Sequence, residues 1–282
     1  MVCMAFSSCA PSLYYQMYQT QPVTDISMRD NCMVFEDANC EILYNFWREN
    51  GEIGFVFHNK TSENIYLHLD ECFYVANGVA FDYFRNRVFT NSRSSLTSTQ
   101  LTNINGSSVT NANLIYTALG GYGAGSQTIY KNGYVYGVAG TITNASSSSV
   151  SVAEKQVVCI PPKTSKIITE FDIKSTIYRS CDLYRNPGRK DSHSVTFNKG
   201  NSPLTFGNKI AYSIGSSEDL IRVDNTFYVS KISNYSEKDI TKLENDEECG
   251  KKTANQVRVF KEYGPNQFYI EYNLLGVTAK EH

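Results

Sequence analysis

Two short stretches decide the fold class: residues 53–58 read Ile-Gly-Phe-Val-Phe-His, and residues 65–70 read Ile-Tyr-Leu-His-Leu-Asp. In both stretches apolar side chains recur at alternate positions, which is the period of a strand with one buried face. Asn-Gly pairs at 50–51 and 77–78 favour two-residue hairpin turns, because both residues adopt positive φ readily. The pattern predicts short antiparallel strands joined by tight turns, and such strands pack as a β-sandwich.

The composition extends this prediction to the whole chain of 282 residues. Tyr (20) and Phe (15) are abundant, and with Val, Ile, Ser and Thr they suit strands better than helices. Lys and Arg (26) nearly balance Asp and Glu (28), so the sequence predicts no basic surface for nucleic acid. The chain is therefore predicted to be all-β, without a nucleic-acid partner.

A pair of prolines marks a change of direction beyond these strands. Pro161 and Pro162 separate the apolar stretches 157–160 and 167–173. Because proline donates no ladder hydrogen bond, the pair predicts a sheet edge or a corner where the chain changes sheet. Strand-like stretches recur between residues 195 and 272 and predict a second β-rich unit.

One short helix is predicted in this second unit. Ser236 can cap it, Asp239 can close the capping box and Gly250 would end it. The acidic cluster near that end, residues 244–248, does not have the ligand spacing of an EF-hand. We interpret the cluster as a solvated turn, with a calcium site as the alternative.

Residues 91–155 form an insertion of different character, in which Ser, Thr, Asn and Gly dominate. The segment also contains several tyrosines, which are unusual in a flexible linker. We therefore predict a glycine-rich hairpin that projects from the sandwich, with disorder as the alternative. Tyrosine rings can stack on sugars, although packing within the hairpin explains these residues equally well. The candidate ligand contacts are Tyr122, Tyr130, Tyr134 and Tyr136.

The eight cysteines are dispersed along the chain, at positions 3, 9, 32, 40, 72, 159, 181 and 249. Their spacing is not that of a zinc or iron–sulfur site, and we predict neither a metal nor a cofactor. The six that follow Cys9 are compatible with up to three disulfides, and buried free thiols are the alternative.

The sequence offers little for catalysis. Of its four histidines, His58 and His68 fall on the polar side of predicted strands. Residues 191–193 (Asp-Ser-His) are the residue types of a catalytic triad, but adjacent residues cannot form one. We predict a protein that is not an enzyme. Asn-x-Ser/Thr sequences, which accept glycans only in a eukaryotic secretory path, begin at Asn59, Asn105, Asn144 and Asn234.

The N-terminus carries the clearest targeting signal. Residues 1–5 are apolar, residues 6–8 are Phe-Ser-Ser, and Cys9 follows. This segment resembles the end of a bacterial lipoprotein signal peptide, in which small residues precede a cysteine that receives a diacylglycerol. It departs from the family in having no basic residue before the apolar run, and in having Phe6 where a small aliphatic residue is usual. An ordinary N-terminal strand is the alternative.

The resemblance implies a lipid on Cys9 as the membrane anchor, with residues 1–8 as the remnant of the signal and residues 9–30 as a tether. No acidic residue follows Cys9 directly, so the likeness to Bacteroidota-type lipoproteins implies an outer-membrane protein that faces the periplasm. In strand spacing and in its proline corner, the region 31–175 resembles an immunoglobulin-like β-sandwich. Residues 176–282 are the predicted second unit.

These expectations combine into one functional hypothesis. The protein is predicted to be a lipid-anchored interaction or assembly module of the cell envelope, which docks to a protein partner through its insertion and its strand edges. Two alternatives stay open. One is a glycan-binding accessory lipoprotein, and the other is a structural component of a virion or of a secretion assembly.

Overall fold

The computed structural model describes residues 13–94, 147–187, 193–248 and 251–273. Within these ranges the protein is mostly β, with several antiparallel sheets, one of them curled into a half-barrel, and one short helix. The all-β prediction is confirmed at this level. The strands are β1 (Leu13–Pro22), β2 (Ser27–Arg29), β3 (Cys32–Glu36), β4 (Cys40–Tyr44), β5 (Phe55–Asn59), β6 (Ile65–His68), β7 (Phe73–Ala76), β8 (Val79–Asp82), β9 (Val88–Ser94), β10 (Ser147–Ala153), β11 (Val157–Ile160), β12 (Ser165–Ile168), β13 (His193–Thr196), β14 (Thr205–Ile214), β15 (Ile221–Ser236), β16 (Thr241–Glu248), β17 (Lys251–Phe260) and β18 (Gln267–Asn273).

The strands form two large sheets and two ribbons. In the nine-stranded sheet β11, β6, β14, β15, β1 and β18 are neighbours in that order, while β13 pairs with β15 and the β7–β8 hairpin pairs with β14. The five-stranded sheet has the order β12-β5-β4-β3-β2. The two-stranded ribbons are β9–β10 and β16–β17, and the helix α1 (Glu237–Ile240) immediately precedes β16.

The two large sheets share one hydrophobic core. Tyr44 of the five-stranded sheet meets Phe227 of the nine-stranded sheet edge to face, with ring centroids 5.3 Å apart. Phe57 and Tyr212 make an equivalent contact, also at 5.3 Å, and all four side chains are buried. Because burial of one such side chain contributes about 1.5–3 kcal/mol, these rings hold the two sheets together.

The stretch predicted as a tether, 9–30, contains a central strand of the larger sheet. β1 pairs with β15 on one side and with β18 on the other. Both of its faces are covered: Tyr18 belongs to the main core, whereas Tyr15 packs with Trp47 and Phe260. A strand that is buried on both faces has no apolar–polar alternation, and for this reason its sequence showed no period.

The described strands do not divide at residue 175 into the predicted units 31–175 and 176–282. β14 and β15 lie after that point, yet β14 pairs with β6 and β7, and β15 pairs with β1. One sheet therefore spans both halves of the chain. Such pairing joins strands that are distant in sequence, and local patterns do not reveal it.

Two local predictions are confirmed. Asn77 and Gly78, both with positive φ, join β7 to β8 as a two-residue turn. Pro161 and Pro162 lie between β11 of the nine-stranded sheet and β12 of the five-stranded sheet. The proline pair is thus the predicted corner at which the chain changes sheet.

The other Asn-Gly pair behaves differently. Asn50 and Gly51 also have positive φ, but they lie in the connection between β4 and β5 and do not form a two-residue hairpin. A Cβ atom on Gly51 would lie 2.8 Å from Ile173 Cδ1 and 2.9 Å from Phe268 Cγ. This glycine is needed for close packing as well as for its backbone conformation.

The predicted helix is much shorter than expected. α1 ends at Ile240, and residues 241–248 form β16 instead of continuing to Gly250. Ser236 occupies the N-cap position, but its hydroxyl donates to the Asp239 carboxylate at 2.6 Å and accepts no backbone N–H of the helix. The acidic run therefore lies in a strand, not in a turn at a helix end. Residues 241–248 pair with β17 instead of continuing the helix. In a helix that ended here, the acidic residues would have interacted unfavourably with the negative end of the helix dipole.

Candidate functional site

The predicted site residues Cys9, Tyr122, Tyr130, Tyr134 and Tyr136 lie outside the described residues. So do two of the Asn-x-Ser/Thr asparagines, Asn105 and Asn144, and most of the insertion 91–155. The structure does describe the ribbon at the base of the insertion, in which β9 leads into residues 91–155 and β10 is formed by residues near their end. That point is the first candidate site.

A group of charged side chains holds this point. The Arg87 guanidinium contacts two carboxylates: Nη2 lies 2.5 Å from Glu154 Oε1, and Nη1 lies 2.5 Å from Glu170 Oε1. Nη2 also donates to Glu170 Oε2 at 3.0 Å. The planar fork of arginine suits such paired contacts, which are stronger than hydrogen bonds between neutral groups. We call Arg87, Glu154 and Glu170 the root clamp.

Glu154 ties both ends of the ribbon together. Its side chain is only 7% exposed, and its Oε2 accepts the backbone N–H of Arg85 at 2.9 Å and of Arg87 at 3.0 Å. The backbone N–H of Glu154 donates to the Arg87 carbonyl at 2.8 Å. The hydrogen bond from the Arg87 side chain and these backbone N–H groups lower the pKa of Glu154 to about 2. The clamp therefore stays charged at any ordinary pH.

An apolar strand edge lies beside the clamp. Among the described strands, β8 pairs only with β7, and its other edge has no partner. Val79 and Phe81 on this strand are 56% and 42% exposed. The Phe81 ring packs on Tyr74 and Phe171, and the Arg85 guanidinium lies 4.7 Å from the centre of the Phe171 ring. An exposed apolar edge of this kind is a template for an added strand.

A second candidate is a cavity of about 420 Å³ between the nine-stranded sheet and α1. Three neighbouring strands, β15, β1 and β18, provide one wall, and α1 with the residues after β17 provides the other. Its lining is polar: Gln19, Lys231, Ser233 and Gln267 contribute to it. We call this cavity the α1 pocket.

The three histidines within the described residues have structural partners. His58 Nδ1 lies 2.9 Å from Ser165 Oγ, and His68 Nε2 lies 3.0 Å from Ser213 Oγ. His193 packs against the Tyr184 ring, with centroids 3.7 Å apart, while Asp191 and Ser192 lie outside the described residues.

Within the described ranges no three His, Cys, Asp or Glu side chains converge as a metal site would require. In the same ranges no helix is long and apolar enough to cross a membrane.

The described cysteines are free thiols. Cys32, Cys40 and Cys72 are buried, whereas Cys159 and Cys181 are exposed. Burial raises the pKa of Cys32 to about 11 and that of Cys72 to about 12. The buried thiols thus stay protonated and unreactive. Cys32, Cys40 and Cys72 thus follow the alternative of buried free thiols, whereas Cys159 and Cys181 are free but exposed.

Two of the Asn-x-Ser/Thr asparagines are inaccessible in the folded protein. Asn59 is fully buried, and its amide nitrogen donates to the carbonyls of Glu63, Ile160 and Pro161. Asn234 is 2% exposed and bonds to Gln16 at 2.8 Å. Both amides hold the fold together, so neither can carry a glycan in this state.

Sequence reasoning missed the residues of both candidate sites. For the root clamp a signal existed, because opposite charges, Arg87 and Glu154, stand at the two ends of the Ser- and Gly-rich insertion. For the α1 pocket β1 carries no such signal, because burial of both of its faces removes the apolar–polar alternation from its sequence.

The comparisons with known proteins give no further guide. No protein-family model matches the chain, and neither a curated protein nor a solved structure matches it. The fold and the two candidate sites therefore define the chain only as a β-rich protein with a clamped insertion and a polar pocket.

Proposed function

We propose that the protein is a non-catalytic docking module of the bacterial cell envelope, anchored to the outer membrane by a lipid on Cys9 and facing the periplasm. Its insertion, residues 91–155, is the recognition element, and an envelope protein is the partner. The immunoglobulin-like sandwich, a resemblance in strand spacing, is part of this proposal as the scaffold. One observation supports it: the start of β1 and the root of the insertion are attached near opposite ends of β15.

The strand register gives this separation. Tyr14, at the start of β1, pairs with Ser236, the last residue of β15. The root of the insertion connects to the other end of β15 through two intervening strands. Asp82, just before the root clamp, pairs with Phe73 of β7, and Phe73 pairs with Lys209 of β14. Lys209 in turn pairs with Asp224, near the start of β15. The stretch of β15 from residue 224 to residue 236 corresponds to about 40 Å of strand.

The length of chain before β1 limits where a lipid would hold the body. Residues 10–12 alone separate Cys9 from Leu13, and a chain of that length spans at most about 14 Å. An acyl group on Cys9 would hold this end of the sheet against the bilayer. The insertion root would then lie at the end of β15 that is remote from the membrane, where a partner in the periplasm can reach it.

The root clamp supports presentation of the insertion. A two-stranded ribbon is marginally stable by itself in water, so a recognition element on such a ribbon needs a fixed base. Arg87, Glu154 and Glu170 provide that base, and the exposed β8 edge beside it offers a second contact for a partner strand.

The test is a pull-down from the native membrane fraction with two variants. In the first, a short Gly-Ser linker replaces residues 95–146 between β9 and β10; in the second, the β16–β17 ribbon is shortened by the same approach. Far-UV circular dichroism and the fluorescence of Trp47, the single tryptophan, report whether each variant folds. We expect the first variant to lose its envelope partner and the second to retain it. Unchanged capture by a folded first variant contradicts the proposal.

The anchor is tested separately. Intact-mass and N-terminal peptide analysis of protein from its native membrane should find a chain that starts at an acylated Cys9, and Cys9→Ser should release it from the membrane. An unmodified chain that retains Met1 would contradict the lipid anchor and would favour the virion or secretion-assembly alternative.

A further inference from the structure

The α1 pocket has an apolar floor and a polar rim. Met17 of β1 and Ile240 of α1 line it, and both pack against the aromatic cluster of Tyr15, Trp47 and Phe260. The rim is built by polar side chains on the outward-facing positions of β1, β15 and β18. A ligand that fits this cavity has one apolar face and several polar groups at its edge.

Three polar side chains of the rim form a row across the sheet. Gln19 of β1 lies opposite Lys231 of β15 on one side and opposite Gln267 of β18 on the other. Neighbouring strands lie about 4.8 Å apart, so the row offers regularly spaced polar ends. Ser233, 3% exposed, lies on the same face of β15 two residues after Lys231.

The polar side chains of this row are available for hydrogen bonding. Within the part of the chain that the structure describes, the side chains of Gln19, Lys231 and Gln267 have no hydrogen-bond or ion-pair partner. By contrast, the carboxamide of Gln16, also on β1, bonds to Asn234 at 2.8 Å and to the Tyr178 carbonyl at 3.0 Å. Lys261 in the other wall is committed too, because its Nζ donates to the Asp239 carbonyl at 2.6 Å. The polar ends of this row are therefore available to a ligand in the cavity.

The chemistry of the row selects a class of ligand. The carboxamides of Gln19 and Gln267 can both donate and accept hydrogen bonds, and the Lys231 ammonium can donate them. These groups match hydroxyl groups, which also donate and accept. The charged side chains of the lining, Lys231 and Lys261 against Asp239 and Glu262, balance, so the pocket has no net charge that would select an ion. A pyranose ring combines an apolar face with a rim of hydroxyls. The volume of about 420 Å³ is within the range of small-molecule sites.

We propose that the α1 pocket is a saccharide-binding site for one or two pyranose units, with Gln19, Lys231 and Gln267 as hydrogen-bond partners of the ring hydroxyls. The site does not depend on the lipid anchor or on the insertion, and it lies on residues that the structure describes. It differs from the tyrosines of the insertion, for which sugar contact was an expectation from sequence.

The experiment is saturation-transfer difference NMR on the full chain, followed by calorimetric titration of any sugar that binds. The probes are glucose, galactose, mannose, N-acetylglucosamine, glucuronic acid, maltose, cellobiose and lactose. We expect transfer to at least one of them. Lys231→Ala should weaken its binding about tenfold and Gln19→Ala about threefold, because charged donors contribute more than neutral ones.

The matched control is Gln21→Ala, which removes the same side chain two positions further along β1, outside the pocket lining. It should leave binding unchanged. Absence of transfer to every probe at concentrations up to about 10 mM overturns the proposal, because a site with a Kd of about 1 mM would be mostly occupied at that concentration. Equal weakening by Gln21→Ala and by Gln19→Ala overturns it too. Deletion of residues 95–146 should not change sugar binding, so failure of this proposal is distinguishable from failure of the docking proposal.

Discussion

The two ribbons that leave the body, β9–β10 and β16–β17, are fixed at their roots by different physics. The first depends on the charges of the root clamp, in which Arg87 joins Glu154 to Glu170. The second depends on aromatic packing: Phe260, the last residue of β17, is 5% exposed, and its ring centroid lies 4.8 Å from that of Trp47 and 5.3 Å from that of Tyr15.

The two roots therefore respond to different changes. An ionic root depends on protonation and on both partners being present, because a lone buried charge is costly. An aromatic root depends on shape and on area removed from water, which acid does not change. The aromatic root packs against Met17 and Ile240, which line the α1 pocket, whereas the ionic root lies at the base of the insertion. Each type of packing therefore supports a different proposed site.

The largest expected effect comes from the aromatic root. Phe260→Ala should lower the free energy of unfolding by about 3–5 kcal/mol, because it removes a buried ring and leaves a cavity. Urea unfolding followed by Trp47 fluorescence measures this. Leu243→Ala on the same ribbon, where the side chain is 55% exposed, is the control and should change stability by less than about 0.5 kcal/mol. A similar small loss for Phe260→Ala would mean that aromatic packing does not hold this root.

The next effect in size concerns the root clamp. Arg87→Met should cost about 1–3 kcal/mol, because Glu154 and Glu170 lose their shared donor while Glu154 stays nearly inaccessible to water. Amide hydrogen exchange of β9 and β10 measures the local part of this loss. The control is Lys209→Met, which breaks the exposed Lys209–Asp224 pair and should cost about 0.5 kcal/mol or less. Equal costs for the two variants would show that the clamp acts as a surface ion pair.

Acid should distinguish the two roots. The folded-state pKa of Glu154 is lowered to about 2 from an ordinary value of 4.5, so the stabilisation is fully present above about pH 4.5 and is lost as the pH falls towards 2. Protection of β9 and β10 amides should decrease over this interval, while that of β17 near Phe260 decreases less. In Arg87→Met the selective decrease should be absent. A parallel decrease in both ribbons would contradict an ionic root.

The smallest expected effect is a loss of stability at the aromatic root at high pH, where the ionic root is unaffected. Burial raises the pKa of Tyr15 well above its ordinary value of 10, and its hydroxyl donates to Glu271 at 3.2 Å. Since the folded pKa is raised, this stabilisation is present below about pH 10 and is lost as the pH rises further. Tyr15→Phe should cost about 1 kcal/mol at pH 7, and its difference from the unsubstituted protein should narrow above about pH 10. A constant difference would mean that Tyr15 does not titrate with unfolding.

The elements that could be predicted from sequence are those whose signal is local. The Asn77–Gly78 turn and the Pro161–Pro162 corner follow from backbone preferences of the residues themselves, and both occur as expected. The helix that begins at Glu237 was expected from its capping residues, but its length was not, because strand pairing with β17 competes with helix formation.

The strand-rich class and the Asn77–Gly78 turn could be predicted from sequence alone, since periodicity, turn residues and composition act within a few positions of the chain. Only the tertiary structure decided that β1 lies between β15 and β18, that Arg87 meets Glu154 and Glu170, and that Gln19, Lys231 and Gln267 form one row. These contacts join residues far apart in sequence, and their register is set by the packing of both sheet faces at once, which no single stretch of sequence contains.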